Sequence, residues 1–301
     1  MVGGNPLAKI DYLNMHNKIL SGKEFSTNIL SDISIQVAKC KRPPCLAVIL
    51  VGVNAASMVY VNNKKNACKK VGITSIASEL PETTTETELL DIINNLNKDE
   101  NVDGILVQLP LPEHLNSKLI IDNIAPLKDV DGFHRYNMGS LALNDPLICP
   151  CTPHGVMYML DKLNLTYHGL NAVIIGMSNI VGRPMALELI NRGTTVTMCN
   201  SKTRNLPGIT ARADLVVVGV GRPKMVKANW IKPGAIVIDI GMNRLDDGKL
   251  CGDVDFDEVL PVASHITPVP GGVGLMTIAM LMQNTLHCYK LNTADLAFER
   301  E

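Results

Sequence analysis

Two side chains that could carry out acid–base chemistry share one face of a predicted helix. Tyr60 and Lys64 lie four residues apart in the segment after the apolar run Leu46–Val53, and residues at this spacing are neighbours on a helix surface. That helix begins beyond the carboxyl end of a predicted parallel strand, where open α/β sheets bind their ligands. Lys64 could exchange a proton with a ligand, and Tyr60 could stack on a flat ring. A solvated helix face with a half-buried tyrosine is the alternative interpretation.

Two more polar residues are candidates for the same chemistry. Gln108 ends the predicted strand 103–108 and could hold Lys64 by a hydrogen bond, or it could satisfy the backbone of the following loop. Asp131 lies in the glycine-bounded loop Lys128–Gly132, where a carboxylate could accept two hydrogen bonds from a planar amino-heterocycle. The alternative for Asp131 is an Asx turn.

A second motif is typical of nucleotide binding. The apolar run 172–175 ends in Gly176, as expected for a parallel strand buried on both faces. A polar turn and a helix follow, and free N–H groups at a helix N-terminus favour an anion such as a pyrophosphate. The pattern is a variant of Gly-x-Gly-x-x-Gly, because Ser178 replaces the second glycine and Gly182 comes one residue late. A strand–turn–helix without a ligand is the alternative. The predicted apolar face of the helix consists of Ile180, Met185 and Leu189.

The end of the next predicted strand, 194–199, favours NADP over NAD. In NAD sites an acidic residue at this point accepts a hydrogen bond from the ribose hydroxyl. The residues here are instead Asn200, Ser201, Lys202 and Arg204. No carboxylate would repel a 2′-phosphate, although a basic solvated turn has the same composition.

These candidates are positioned by two successive α/β segments. In the first, strands 46–53, 73–80 and 103–108 alternate with helices, and Ser57 and Thr84 or Thr85 are the predicted caps of the two helices. In the second, strands near 172–176, 194–199, 214–220 and 235–240 alternate with helices. A rigid loop, 266–274, and a helix from Met276 to about Tyr289 follow. The strand–helix alternation predicts parallel sheets.

Composition excludes several classes of protein. The chain has 301 residues, 46% hydrophobic residues, 19% charged residues and a net charge of −1, which is typical of a compact protein of two domains. This charge gives no basis for binding nucleic acid or a membrane surface, and the apolar runs are too short to span a bilayer. The eight cysteines form no Cys-x-x-Cys pair, so we expect free thiols in a reducing cytoplasm.

Six stretches together resemble the signatures of one enzyme family. Three lie in the first half, at Val51–Lys64, Gly104–Pro112 and Lys128–Gly132, and three lie in the second half, at Pro150–Gly155, Gly176–Pro184 and Thr267–Gly274. The family is the bifunctional methylenetetrahydrofolate dehydrogenase/methenyltetrahydrofolate cyclohydrolase. The resemblance covers about residues 8 to 290.

The resemblance implies an α/β protein of two domains, each a mainly parallel sheet flanked by helices, with a cleft between them. Residues 1–150 would bind folate and be completed by the C-terminal helix 275–301, and residues 151–274 would form a Rossmann-type NADP-binding domain. It also implies a homodimer that acts on tetrahydrofolate derivatives in one-carbon metabolism. The protein would oxidise the 5,10-methylene form with NADP and hydrolyse the methenyl product to the 10-formyl form.

Roles carry over from the family position by position. Lys64 resembles the general acid/base of the hydrolytic step, Gln108 its orienting partner, Tyr60 the ring-stacking residue and Asp131 the pterin anchor. The other implied substrate-binding positions are Val107, Leu109, Pro270, Gly271, Gly272, Val273 and Gly274. The implied NADP positions are Gly176, Met177, Ser178, Ser201 and Met242, and no metal is implied.

Two positions depart from the family pattern. Leu275 stands where the family usually has proline, which predicts a looser loop, and Met177 carries no charge, so a 2′-phosphate would depend on Ser201 and its neighbours. Two other functions stay open at this point. A dehydrogenase acting on amino or hydroxy acids would need a base near the nicotinamide and has no use for Tyr60 with Lys64. A nucleotide-sensing module would bind NADP without turnover.

Overall fold

The computed structural model describes residues 17–52 and 55–293. They divide into two compact units. The three-stranded unit contains Ser26–Cys151 and residues 277–293, and the five-stranded unit contains residues 17–25 and Thr152–Met276. Unlike the predicted division, the structure groups residues 17–25 with the second half of the chain.

The sheet of the three-stranded unit is parallel throughout. Its strands are β1 (Cys45–Val51), β2 (Thr74–Leu80) and β3 (Gly104–Val107), in the order β2-β1-β3. Every residue of β1 is buried, because this apolar central strand is covered on both faces. Strand β2 lies at the edge, and its residues are exposed or half-buried.

Five helices accompany this sheet. They are α1 (Gly22–Val37), α2 (Ala55–Val71), α3 (Glu86–Lys98), α4 (Ser117–Asp122) and α5 (Arg135–Ala142). The predicted cap Thr85 is confirmed, since Thr85 and Glu88 form a reciprocal capping box. The predicted cap Ser57 is wrong, because α2 already begins at Ala55. Val53 and Asn54 of the turn before it lie outside the described residues.

The five-stranded unit has a second parallel sheet. Its strands are β4 (Asn171–Ile175), β5 (Thr195–Cys199), β6 (Leu215–Val218), β7 (Ile236–Asp239) and β10 (His265–Ile266), in the order β10-β7-β6-β4-β5. The short antiparallel pair β8 (Asn243–Arg244) and β9 (Leu250–Cys251) lies outside this sheet. From β4 the chain crosses to β5 on one side, and from β5 it returns to β6 on the other side of β4. The topological switch point, where α/β sheets bind ligands, therefore lies between β4 and β6.

Five more helices complete the described chain. They are α6 (Cys151–Asp161), α7 (Gly182–Asn191), α8 (Leu206–Thr210), α9 (Phe256–Val259) and α10 (Val273–Asn292). Met185 and Leu189 are fully buried on α7 as predicted. Ile180 is not part of its apolar face, because it precedes the helix and is 37% exposed.

The last helix begins earlier than predicted. Helix α10 starts at Val273 rather than Met276, and the N–H of Leu275 donates to the carbonyl oxygen of Gly272 at 3.3 Å. Leu275 therefore lies in a first helical turn, and the looser loop expected there is not seen. The predicted polar end extends past residue 293, outside the described residues. In the described part of the chain, no helix combines the length and apolar character needed to cross a membrane.

Candidate active site and nucleotide cavity

The amine of Lys64 is buried and has an amide partner. Lys64 lies on α2, is only 8% exposed, and its Nζ donates to Gln108 Oε1 at 3.0 Å. The hydrogen bond predicted between these two residues is therefore present. Within residues 17–52 and 55–293, no carboxylate forms an ion pair with Lys64. Its proton is therefore shared with a neutral acceptor, which leaves the amine free to exchange it with a ligand.

Gln108 is held in place by its backbone N–H and by both polar atoms of its side-chain amide. Its backbone N–H donates to the carbonyl oxygen of Ile49 at 2.8 Å, which extends the sheet ladder between β1 and β3. Its side-chain Nε2 donates to the carbonyl oxygen of Leu109 at 2.7 Å. Because the NH₂ group is occupied, the amide oxygen is the atom that faces Lys64. Val107, the residue before Gln108, is buried at the end of β3.

Asp131 has an unusually basic carboxyl group in the same unit. The pKa of this carboxyl is raised to about 6, mainly by burial; the positive charge of Lys64 opposes the shift, and the negative charge of Asp129 adds to it. The residue as a whole keeps some exposed surface. The Asp131 and Lys64 side chains are thus close enough to act on each other electrostatically. The structure brings three of the predicted site residues together here.

Tyr60 lies one helical turn before Lys64 on α2. It is half-buried, and burial raises the pKa of its phenol. The phenol therefore stays neutral over the physiological range. Leu109 follows Gln108, is half-buried, and contributes its carbonyl oxygen to the amide of that residue.

The pKa of Asp131 predicts a pH dependence of substrate binding. The family resemblance implies that Asp131 anchors a planar ring by accepting two hydrogen bonds, which requires an ionised carboxylate. With a pKa of about 6 rather than 3.8, Asp131 binds a proton below pH 6. We expect the KM for folate to rise about tenfold per pH unit below pH 6, as measured by initial rates from pH 5 to 8. Asp131→Asn should bind folate weakly at every pH and abolish this dependence. A flat KM profile in the unmodified protein would contradict the prediction.

The same shift has a defined effect on stability. Between the ordinary value of 3.8 and about 6, the native carboxyl keeps a proton that the unfolded chain has lost. The contribution of Asp131 to stability is therefore fully present below the ordinary value and is lost as the pH rises through 6. Asp131→Asn should remove this loss from the pH dependence of the melting temperature.

One buried residue of this site was missed from the sequence. Asn284 on α10 is 6% exposed, and its Nδ2 donates to the carbonyl oxygens of Val130 and Cys149, each at 2.9 Å. The Sγ of Cys151 also donates to the Val130 carbonyl oxygen at 3.2 Å. These bonds fix the backbone next to Asp131. No spacing rule connects Asn284 to residues more than 130 positions earlier.

The eight cysteines of the chain are all free thiols, as predicted. Cys40 and Cys149 are half-buried and the other six are buried.

The five-stranded unit contains a cavity of about 570 Å³. It lies at the carboxyl ends of β4, β5 and β6, on both sides of the topological switch point. Its lining residues are Ile175, Gly176, Met177, Ser178, Asn200, Ser201, Thr203, Leu206, Gly219, Val220, Arg222, Met225 and Trp230. Four of the five predicted NADP positions are among them, and the fifth, Met242, is not.

Two glycines shape the turn at the mouth of this cavity. Gly176 has a φ of +121°, and a Cβ built there would lie 2.4 Å from the carbonyl oxygen of Gly219. A Cβ at Gly182 would lie 2.0 Å from the carbonyl oxygen of Gly176. Both distances are far below van der Waals contact, so only glycine allows β4, the turn and α7 to approach this closely.

The hydroxyl of Ser178 takes up two of the backbone N–H groups that could otherwise bind an anion at this turn. Its Oγ accepts hydrogen bonds from the backbone N–H groups of Val181 at 3.2 Å and Gly182 at 3.3 Å. The sequence predicted free N–H groups at the start of α7, but these two are occupied by Ser178. The hydroxyl hydrogen of Ser178 remains as a donor toward the cavity.

The cavity fits NADP by its donors and its charge. It contains no carboxylate, and Ser178, Ser201 and Thr203 supply hydroxyl groups. Its one charged lining residue is Arg222, which follows β6. Lys202 and Arg204, the cations noted in the sequence, are not among the lining residues. An acidic residue that would read the ribose of NAD is also missing from the lining.

The proline- and glycine-rich loop belongs to the five-stranded unit as well. The N–H of Gly22 donates to the carbonyl oxygen of Gly271 at 2.9 Å, which ties Pro270–Gly274 to the start of α1. A Cβ built at Gly274 would lie 3.2 Å from Cε of Met242. Met242, predicted to line NADP, therefore lies beside the segment predicted to border folate.

The sequence matches two family models that describe adjacent parts of one enzyme. Residues 20–131 match the tetrahydrofolate dehydrogenase/cyclohydrolase catalytic domain, and residues 150–293 match the NAD(P)-binding domain of the same name. The chain belongs to the tetrahydrofolate dehydrogenase/cyclohydrolase family. The family predicted from the six motifs and the fold of two parallel-sheet domains are thus confirmed.

Individual relatives agree over most of the chain. The bifunctional protein FolD 1 of Hydrogenovibrio crunogenus is 58% identical over 276 residues, which covers 90% of this chain and 97% of that protein. The crystal structure of the bifunctional FolD dehydrogenase/cyclohydrolase of Campylobacter jejuni has a TM-score of 0.89 at 49% identity, covering 91% of this chain and 98% of that one. The Trypanosoma brucei enzyme, solved with NADP and an inhibitor, has a TM-score of 0.88 at 35% identity, covering 91% and 98%.

Proposed function

We infer that this chain is a bifunctional enzyme of one-carbon folate metabolism. It oxidises 5,10-methylenetetrahydrofolate to the 5,10-methenyl form with NADP and hydrolyses that product to 10-formyltetrahydrofolate. Family membership over both domains supports this function. The observation that carries it is the buried Lys64 amine, hydrogen-bonded to Gln108 Oε1 at 3.0 Å in the three-stranded unit, while the five-stranded unit holds a cavity with the donors for NADP.

For the hydrolytic step we propose Lys64 as the group that moves the proton. Water adds to the methenyl carbon and loses one proton to the neutral amine. The resulting ammonium then protonates the ring nitrogen as its bond to that carbon breaks, and the remaining hydroxyl loses its proton to solvent as it becomes the formyl carbonyl. The overall step converts the methenyl cation and water into the formyl product and one proton. A single positioned amine is sufficient, because the oxygen that loses the proton and the nitrogen that gains it are bonded to the same carbon.

The oxidation makes a smaller demand on the protein. NADP held by Gly176, Met177, Ser178 and Ser201 would supply the hydride acceptor for the methylene carbon, which the lone pair of the adjacent nitrogen already activates. The chain then needs to align the folate rather than supply a base. We propose that Tyr60 stacks on the folate ring, Asp131 accepts hydrogen bonds from the pterin, and Pro270–Gly274 borders the substrate. An enzyme acting on hydroxy acids would instead need a base beside the nicotinamide.

The test is an assay of both reactions in the purified protein. Reduced nicotinamide should form from 5,10-methylenetetrahydrofolate with NADP, and more slowly with NAD. Methenyltetrahydrofolate should disappear faster than in buffer alone, without any nucleotide. NADP binding with neither reaction would favour the nucleotide-sensing function instead.

Gln108 should act through Lys64. Gln108→Leu removes the oxygen that accepts the Lys64 hydrogen bond and keeps a side chain of similar volume. We expect hydrolysis to fall about 10- to 100-fold while NADP affinity is unchanged. The pH dependence of kcat for hydrolysis should also shift, which a loss of packing alone would not cause. Wild-type hydrolysis with an unchanged pH profile would exclude Gln108 from this role.

We also propose that the protein is a homodimer, as the family resemblance implies. Light scattering on the purified chain gives the mass directly. A mass near the 32.6 kDa of one chain at micromolar concentration would contradict the proposal.

A further inference from the structure

The cation that lines the nucleotide cavity is Arg222, a residue that was not predicted from the sequence. Arg222 follows β6 in the segment Gly219–Pro223, and of the cavity-lining residues in the described part of the chain it is the only charged one. Its side chain has no ion pair or hydrogen bond with another of the residues that the structure describes. The same lining includes Ser201, which lies just after the end of β5, where nucleotide-binding sheets read the ribose 2′ position.

A buried carboxylate holds the backbone of this cation. Asp253 is completely buried and accepts the N–H groups of three consecutive residues. Its Oδ2 accepts from Val220 at 2.6 Å and from Gly221 at 3.0 Å, and its Oδ1 accepts from Arg222 at 2.7 Å. Oδ1 also accepts from the side-chain amide of Asn243 at 2.8 Å. Four N–H donors therefore balance the buried charge.

This arrangement decides which group of the segment is available to a ligand. Three successive N–H groups pointing to one side form a concavity that could bind a phosphate, but Asp253 already fills it. The backbone of residues 220–222 thus cannot serve as the anion site. The anion-binding group that remains on this segment is the guanidinium of Arg222, with its Cα position fixed by the carboxylate.

We propose that Arg222 binds the 2′-phosphate of NADP and so determines the preference for NADP over NAD, and that Asp253 is its positioning residue. The inference rests on the proposed NADP-dependent function and names a residue for its cofactor preference. It also supplies the cation that Met177 does not provide. A guanidinium pairs with phosphate through two parallel N–H donors, which an uncharged amide cannot reproduce.

The chain offers a direct readout of binding. Its single tryptophan, Trp230, lines the same cavity, so its fluorescence should change when a nucleotide enters. Titration with NADP and with NAD gives both dissociation constants without any folate. The variant is Arg222→Gln. The matched control is Lys249→Gln, which removes an exposed cation of the same unit that pairs with Asp247 and does not line the cavity.

Arg222→Gln should weaken NADP binding about 10- to 100-fold, the range of a charge-assisted hydrogen bond, and change NAD binding by less than about twofold. Lys249→Gln should preserve both constants. Equal losses for NADP and NAD would overturn the proposal, since they would mean a contact to the shared pyrophosphate or a distorted cavity. Unchanged NADP binding would overturn it as well. Failure of the unmodified protein to bind either nucleotide would instead overturn the proposed function.

Asp253→Asn tests the positioning role. An amide keeps the shape but replaces one acceptor oxygen by a donor, so the three N–H groups lose part of their partner. We expect the ratio of NAD to NADP dissociation constants to fall, and the double variant with Arg222→Gln to show no further fall in that ratio. A structural role alone would weaken both nucleotides equally and add its effect to that of Arg222→Gln, and this result would remove Asp253 from the proposal.

Discussion

Lys64→Met is expected to abolish hydrolysis of methenyltetrahydrofolate and to leave NADP binding at the wild-type level. Methionine keeps the length and apolar stem of lysine but cannot carry a proton. General acid–base groups contribute about 10²- to 10⁴-fold to a rate, and we expect a loss of hydrolysis in the upper part of that range. The measurement is the decay of the methenyl compound, corrected for its spontaneous hydrolysis.

The next residue along the chain provides the matched control. Lys65 lies on the same helix, and its Nζ forms an ion pair with Glu79 at 3.0 Å in which both side chains are solvent-accessible. Such surface pairs contribute little to stability. Lys65→Met should therefore hydrolyse the substrate normally. If Lys64→Met retains hydrolysis, the amine is not the proton-transfer group and the proposed mechanism is wrong.

The buried parallel strands were predictable from sequence because their composition alone determines their environment. Strand β1 and residues 172–175 of β4 are continuous apolar runs, as is typical of strands covered on both faces. The capping box at Thr85 was predictable for a similar reason, since its partners lie three residues apart. Local rules failed at Ile180, whose apolar side chain fits the helical period but precedes the first helical residue. The helix α5 and the pair β8–β9 were also not predicted.

The same difference between local and long-range determinants separates the site residues that were predicted from those that were missed. Lys64 was a candidate from its helical spacing, Gln108 from its place at a strand end and Asp131 from its glycine-bounded loop, and the family resemblance gave their roles. The structure brings these three side chains together. Arg222 and Asn284 were missed because their roles depend on strand order and on a helix that returns to the first half of the chain. Arg222 meets the cavity only because β6 lies beside β4 in the sheet, and hydrophobic periodicity does not encode the order of strands.

Gly182→Ala is expected to have the opposite effect to Lys64→Met. The new Cβ would lie 2.0 Å from the carbonyl oxygen of Gly176 and 3.2 Å from Cα of Met177. Both are backbone atoms, so the turn between β4 and α7 must move rather than a flexible side chain. Gly176, Met177 and Ser178 line the nucleotide cavity. We expect NADP affinity to fall more than about 100-fold and the dehydrogenase reaction to be lost, because displacements of about 1 Å can cost this much.

Hydrolysis should persist in Gly182→Ala, because that reaction needs the Lys64 amine and water but no nucleotide. The control is Gly139→Ala on α5, where a new Cβ meets no atom within 4 Å and alanine restricts the unfolded chain, so both reactions should be normal and stability equal or slightly higher. NADP fluorescence titration and the hydrolysis assay, run on the same samples, separate the two outcomes. If Gly182→Ala binds NADP tightly, the turn is not the nucleotide site. If it loses both reactions while remaining folded by circular dichroism, hydrolysis depends on the five-stranded unit in a way that Lys64 alone does not explain.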